Sequence, residues 1–178
     1  MAVLCFALNL AGSAVFLLMG LFFAALHELG HLAALALCGG RPSRICLTAA
    51  GVRIERAPGL ALSFPQEICI AFAGPAASLL LAVLCALLHR AFPAILSPAP
   101  CLLNLGFGLF NLLPVRQLDG GQALFYALSR FLPAPEKLLR RVSFNCLFLA
   151  AFAAALLSFR NGINISLVIA IVYLAACV

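Results

Sequence analysis

The long apolar blocks of this chain restrict its fold more than any other feature. Residues 2–37 form one such block, which as a single helix would be about 54 Å long at 1.5 Å per residue. The hydrocarbon core of a bilayer is only about 30 Å thick. The block must therefore break, and we expect the break at the polar and glycine residues of 9–13. A short first membrane segment then precedes a full helix over about 14–38, which "CGGRP" ends.

The composition agrees with a chain that lies largely in a membrane. Of its 178 residues, 66% are hydrophobic and only 9% are charged, whereas about 25% of the residues of a soluble domain are charged. Further apolar segments follow at about 66–89, 101–113, 142–159 and 163–178. We therefore predict an all-α multi-pass membrane protein with about six transmembrane segments. It forms one membrane-embedded domain over residues 1–178, with no separate soluble domain.

The polar stretch at 39–66 has a strand pattern. Val52 and Ile54 alternate with Arg53 and Glu55, which is the two-residue period of a β-strand. The sequence "RICLTAAGVRIE" thus predicts two short strands around Ala-Ala-Gly. The expected result is a small β-hairpin in the loop after the first long helix.

Basic residues are distributed unevenly among the loops. The loop at 39–66 has four arginines and the loop at 114–141 has four arginines and a lysine, whereas the alternate loops carry only Arg90 and Arg160. The positive-inside rule therefore places the two basic loops on the cytoplasmic side of the cell membrane. The net charge of +6 does not indicate nucleic-acid binding, because it is spread over short loops without interleaved aromatic residues.

The motif "HELGH" places two histidines and a glutamate inside an apolar helix. His27 and His31 are four residues apart, so they lie on one face of the helix. That spacing lets both imidazoles reach one zinc ion at about 2.0–2.1 Å. Glu28 is then placed to take a proton from the attacking water. Incidental packing is disfavoured, because a charged residue at the centre of a membrane helix costs about 2.5–3.5 kcal/mol.

Two histidines are one short of the three protein ligands that a catalytic zinc usually has. His89 lies at the far end of the next predicted helix, and we expect it to be an interfacial residue. Asp119, in "NLLPVRQLDGG", lies at the cytoplasmic end of a membrane segment. Its depth is compatible with that of His31, which is about 10 Å from Cys38 by helix rise. Taken alone, Asp119 fits two roles, a third ligand or the N-cap of the helix that follows.

Together these motifs resemble the site-2 protease family of intramembrane zinc metalloproteases. "HELGH", "AFAGPAAS" and N-x-x-P-x-x-x-L-D-G occur in the family's order, and the resemblance extends from about residue 14 to residue 130. The compact layout resembles the branch that includes the sporulation peptidases processing membrane-bound pro-sigma factors. The resemblance implies a membrane-embedded zinc metalloendopeptidase that hydrolyses a peptide bond in or near a transmembrane segment, in regulated intramembrane proteolysis.

The resemblance also implies roles for individual residues. It makes His27, His31 and Asp119 the ligands of one Zn²⁺, and it makes Glu28 the catalytic glutamate. Four further positions match the family motifs and would shape the site or bind substrate backbone: Asn111, Pro114, Gly74 and Pro75.

Two positions depart from the family pattern. Ser78 stands where the family often has Asn, and Gln117 stands where it often has Pro. The serine weakens any substrate-binding role at that position. Gly74 and Ser78 also fit a simple packing role, because small residues four apart let helices approach closely.

The implied partners are a transmembrane protein substrate and membrane lipid, and the layout leaves room for a regulatory membrane partner. The active site is expected toward the cytoplasmic side. Two other functions remain open. Intramembrane His, Glu and Asp also mark ion paths, which would make the chain a metal-ion transporter. It is also compatible with a catalytically inactive relative that binds membrane partners without cutting them.

Overall fold

The computed structural model describes residues 14–40, 42–48, 51–56 and 62–161, together with Val172. Within these residues the chain forms helices and one pair of strands. In chain order the elements are α1 (Ala14–Leu37), β1 (Pro42–Thr48), β2 (Gly51–Arg56), α2 (Phe64–Ala91), α3 (Ala99–Asn111), α4 (Asp119–Ser129) and α5 (Pro135–Asn161).

Helix α1 ends at a pair of glycines. Gly39 has a φ of 80°, a conformation that glycine adopts without the steric cost of a Cβ atom. The N–H of Gly40 donates to the carbonyl of Leu35 at 2.8 Å, and the N–H of Gly39 donates to that of Ala36 at 3.0 Å. These two bonds form a Schellman motif, which stops α1 before the polar segment.

The polar segment after α1 contains a two-stranded antiparallel sheet. Strand β1 pairs with β2, with Ile45 opposite Ile54 and Thr48 opposite Gly51. The register shifts between Pro42 and Arg44. The two strands separate α1 from α2 along the chain.

Helix α2 is the central element of the described structure. It packs against α1, α3 and α4. It begins after Ser63, whose backbone N–H donates to Oε1 of Gln66 at 2.9 Å, the backbone half of a capping box. Helices α1 and α4 therefore pack against the same long apolar helix, which sets their positions relative to each other.

Glycines allow neighbouring helices to approach α2 closely. A Cβ atom at Gly30 of α1 would lie only 2.7 Å from the carbonyl oxygen of Ala73. A Cβ atom at Gly108 of α3 would lie 2.9 Å from Cγ of Leu79. Both distances are shorter than normal van der Waals contact, so these positions accept no larger residue without a shift.

The prediction of about six transmembrane segments is wrong for the described residues. Two helices there are long and apolar enough to cross a membrane, at Val15–Leu37 and Phe64–Ala91. The predicted segment at 101–113 corresponds to α3, which has 13 residues and at 1.5 Å per residue is about 20 Å long, short of a hydrocarbon core of about 30 Å. The predicted segment at 142–159 lies in α5, which is not one of the two candidate spans. The predicted segments before residue 14 and over 163–178 lie outside the described residues, apart from Val172.

Candidate metal centre

The HELGH motif directs both of its histidines into the protein interior. His27 and His31 are only 3% and 8% exposed, and their ring centroids lie 5.0 Å apart. Glu28, between them, is half-buried. Its carboxylate is close enough to His27, His31 and Asp119 for charge–charge interaction with all three.

Asp119 reaches the two histidines from the first turn of α4. Its Oδ2 atom lies 2.9 Å from Nε2 of His27 and 3.3 Å from Nε2 of His31. The N-cap position of α4 belongs to Leu118, so Asp119 does not cap this helix. One donor atom from each of the three residues lies within 4.8 Å of the others, a group that could hold a metal ion.

Hydrogen bonds fix the other ring nitrogen of each histidine. Nδ1 of His31 lies 2.8 Å from the backbone carbonyl of Ile70, and Nδ1 of His27 lies 2.9 Å from Oγ of Ser78. A carbonyl oxygen only accepts, so Nδ1 of His31 carries a proton and its Nε2 in the neutral ring is an acceptor. Metal-binding histidines are typically held in this way.

The space between the imidazoles is kept open by a glycine of α2. A Cβ atom at Gly74 would lie 2.7 Å from Nε2 of His27 and closer still to Nε2 of His31. The Nε2 atoms themselves are 3.3 Å apart. Lone pairs and a carboxylate this close repel one another unless a proton or a metal cation lies among them, so the donor set suits a cation.

The turn that delivers Asp119 is held from α5. The hydroxyl of Ser143, which is fully buried, donates to the carbonyl of Pro114 at 3.1 Å and accepts the N–H of Arg116 at 3.2 Å. Val115 is buried in the same turn and packs in a cluster with Leu147. Helix α5 contributes no candidate ligand, but it positions the segment before Asp119.

The surroundings of Asp119 lower its pKa. Burial alone would raise the pKa of this carboxyl, but its close contacts with His27 and His31 lower it below its ordinary value. Its place in the first turn of α4 adds to this, because the N-terminal end of a helix favours negative charge. A carboxylate is the form that binds a cation.

The other predicted site residues are placed less directly. Asn111 is the last residue of α3, and its side-chain amide donates to the carbonyl of Phe107 in its own helix at 3.0 Å. Pro75 is fully buried, one residue from Gly74. Pro114 lines an open apolar cavity of about 420 Å³ between α2 and α4, together with Gly120, the neighbour of Asp119.

Sequence reasoning missed several residues that contact the histidines. Phe107 packs on His27 with ring centroids 5.2 Å apart, and Ile70 and Ser78 bond the Nδ1 atoms. One signal was available. Ile70, Gly74 and Ser78 are spaced by four residues, which places them on one face of α2.

Comparisons with known proteins agree with this geometry. Residues 90–153 match the sequence profile of peptidase family M50, a match that includes Asp119 and its turn. No curated protein sequence matches the chain significantly. A solved structure, the site-2 protease from Methanocaldococcus jannaschii, superposes with a TM-score of 0.68 at 23% identity. The alignment covers 97% of this chain and 81% of that one.

The structural comparison covers nearly the whole chain, whereas the profile matches residues 90–153. At 23% identity, the structural likeness is one of fold. The profile adds a match in sequence over the segment that contains the Asp119 motif. The two comparisons, together with two helices apolar enough to cross a bilayer, indicate a membrane protein. The resemblance of this chain to the site-2 protease family, peptidase family M50, is thereby confirmed.

Proposed function

We propose that the chain is an intramembrane zinc metalloprotease that hydrolyses a peptide bond in or near a transmembrane segment of another membrane protein. One observation carries the proposal. Donor atoms of His27, His31 and Asp119 converge within 4.8 Å, beside Glu28, on a helix apolar enough to cross a membrane. The match to peptidase family M50 supports the same reaction class.

The distances among the donor atoms suit zinc. Ligands at about 2.0–2.1 Å from a tetrahedral zinc lie about 3.3 Å from one another. The donor atoms here are separated by 2.9, 3.3 and 3.3 Å. Two imidazoles and a carboxylate are a ligand set of the kind found in catalytic zinc sites. A zinc ion held by these residues would supply Lewis acidity to water and to the scissile carbonyl.

Residues of the chain divide the remaining tasks. Glu28 accepts the proton of the attacking water and later delivers it to the leaving amine, as a general base and then a general acid. His27 and His31 hold the ion through Nε2, with their Nδ1 atoms fixed by α2. The apolar cavity lined by Pro114 and Gly120 receives substrate side chains next to Asp119.

Gly74, Pro75 and Asn111 complete the proposed site. Gly74 leaves room for the ion, since its missing side chain would fill the gap between the Nε2 atoms. Pro75 has no N–H to donate to the carbonyl of Ala71, so α2 is locally less constrained beside the site. Asn111 can serve substrate backbone only by leaving its bond to Phe107.

We further propose that the chain is multi-pass with the site toward the cytoplasm. The basic loops flanking the HELGH helix and Asp119 support this orientation. Cysteines introduced by Ser97→Cys and Ser43→Cys, one on each side of α2, in a chain without its native cysteines, would be labelled in intact cells with an impermeant maleimide. Labelling of Ser97→Cys alone is expected. Labelling of Ser43→Cys alone would reverse the orientation.

Metal content tests the proposed site most directly. Wild type, Glu28→Gln and Asp119→Ala would be purified gently in detergent and analysed for zinc. We expect about one zinc in wild type and in Glu28→Gln, and loss of zinc in Asp119→Ala. Zinc-free wild type, or full zinc in Asp119→Ala, would contradict the ligand set.

The same variants separate the alternative functions. A protease keeps zinc and loses cleavage in Glu28→Gln, because the base is removed and the ligands remain. A metal-ion transporter would show zinc uptake into proteoliposomes. An inactive relative would hold zinc in wild type and cut no membrane protein, and its Glu28→Gln form would behave like wild type in every assay.

A further inference from the structure

Helix α2 contacts both histidines through one face. Ile70, Gly74 and Ser78 follow one another at four-residue intervals, opposite the pair His27 and His31. Ile70 bonds Nδ1 of His31 and Ser78 bonds Nδ1 of His27. Gly74, between them, has no side chain to fill the space beside the Nε2 atoms. The two histidines are thus oriented by the same helix.

The two anchors differ in chemistry. His31 is held by a backbone carbonyl, which exists whatever side chain stands at position 70. His27 is held by the hydroxyl of Ser78, which a single substitution removes. Phe107 packs on the His27 ring, but an aromatic ring does not select which ring nitrogen carries the proton.

We propose that Ser78 is a positioning residue for the metal site, which fixes the ring orientation of His27 and its Nδ1-protonated tautomer. The inference rests on the proposed function, in which Nε2 of His27 binds the ion. With Nε2 at the metal, Nδ1–H must find an acceptor, and Oγ of Ser78 at 2.9 Å provides it. Ser78 is 0% exposed, so bulk water does not replace a lost hydroxyl.

A simple packing role for Ser78 makes the opposite prediction. If a small residue is needed only to let α2 approach its neighbours, alanine serves as well as serine, because it is smaller. If the hydroxyl is needed, alanine leaves the Nδ1–H of His27 buried without an acceptor. Ser78→Ala therefore separates hydrogen bonding from packing without adding volume.

The experiment is a zinc-affinity measurement by competition with a chromogenic chelator on detergent-purified protein. Ser78→Ala is expected to bind zinc about 10–100-fold more weakly than wild type, the usual effect of losing such a partner. Ser78→Thr, which keeps the hydroxyl, restores tight binding. Ser129→Ala is the matched control, because within the described residues Ser129 donates to the carbonyl of Phe125 in its own helix and does not contact the histidines. Its zinc affinity should stay at the wild-type value.

A spectroscopic measurement supports the affinity data. Cobalt substituted for zinc should show altered ligand-field bands in Ser78→Ala and unaltered bands in Ser129→Ala. Should Ser78→Ala fail to fold, Ser78→Cys replaces it, because a thiol is of similar size but a weak hydrogen-bonding group. Weakened zinc binding is expected there too.

The outcomes distinguish this inference from the proposed function. Wild type that binds no zinc overturns both. Wild type that binds zinc, with equal affinity and cobalt bands in Ser78→Ala, overturns the role of Ser78 alone and leaves packing as its role. Weaker binding in Ser78→Ala that Ser78→Thr does not restore, at a thermal stability equal to that of wild type, also overturns the hydroxyl as the cause.

Discussion

A side chain at Gly74 would occupy the place where the imidazole of His31 meets that of His27. The Cβ atom of any other residue would lie 2.6 Å from Cε1 of His31, with Nε2 nearer still. Helix α2 can therefore approach His27 and His31 this closely only because Gly74 has no Cβ atom. The gap that this leaves adjoins the Nε2 atoms of the two histidines, which are 3.3 Å apart.

Gly74→Ala is expected to abolish or strongly weaken zinc binding. The added methyl pushes both imidazoles away from Asp119, and a ligand displaced by a few tenths of an ångström loses much of its bond to the metal. Zinc content after gentle purification measures the effect. Gly106→Ala is the control, because no atom of the described residues lies within 4 Å of a Cβ there. Full zinc in Gly74→Ala would show that the gap is not the binding site.

Gly30→Ala is expected to destabilise the protein by about 1–3 kcal/mol, the usual cost of overpacking. The new methyl would lie 2.7 Å from the backbone oxygen of Ala73 and 2.9 Å from Cβ of Ala77, so α1 must move away from α2. Thermal unfolding in detergent measures the change. Gly106→Ala, by comparison, should gain about 0.5–1 kcal/mol from higher helix propensity. Unchanged stability of Gly30→Ala would contradict the close contact.

Ser143→Ala is expected to cost about 1–3 kcal/mol, because it removes a fully buried hydroxyl and its hydrogen bonds with the N–H of Arg116 and the carbonyl of Pro114. Since these groups belong to the turn before Asp119, zinc affinity should fall as well. Both quantities are measured on one preparation. A stability loss without any change in zinc affinity would show that the turn does not position Asp119.

Removal of the metal is expected to lower the thermal midpoint of wild type. An ion that binds only the folded chain at a free concentration of 100 times its Kd stabilises it by about 2.7 kcal/mol. Unfolding scans with and without a strong chelator reveal this difference. Asp119→Ala should be insensitive to the chelator. An equal effect of the chelator on both chains would place the metal elsewhere.

Substrate sequence is expected to affect cleavage rate. A transmembrane helix hides its peptide bonds in its own hydrogen bonds, so it must unwind before hydrolysis. Two single-span test proteins that differ only by Gly-Pro or Leu-Leu near the cut would be compared in detergent. The Gly-Pro protein should be cut faster, because these residues weaken a helix. Equal rates would show that unwinding does not limit the reaction.

The sequence was most informative where apolar runs end at strong signals. The prediction of a helix over 14–38 is confirmed to within one residue as Ala14–Leu37, since the glycines after Cys38 stop it. The helix predicted over 66–89 is confirmed as Phe64–Ala91. The predicted number of spans was wrong over the described residues because α3 is shorter than a bilayer and α5 is not one of the two candidate spans. Hydrophobic composition alone does not give helix length.

Part of the site also follows from the sequence. The spacing of His27 and His31 places them on one face, and the structure brings Asp119 to them; their role as ligands stays a prediction. The partners of their Nδ1 atoms could not be derived. Because α1 and α2 are apolar nearly all round, their hydrophobic pattern does not show which faces meet, and Ile70 and Ser78 depend on that packing.

The contact between α1 and α4 has a consequence for how the protein comes apart. His27 and Asp119 are 92 residues apart in the chain, so an ion held by both would join α1 to α4 across a long loop. An ion that binds only the folded chain is released when either helix moves away. Separating α1 from α4 would then cost the binding free energy of the ion, and a chelator would remove that cost.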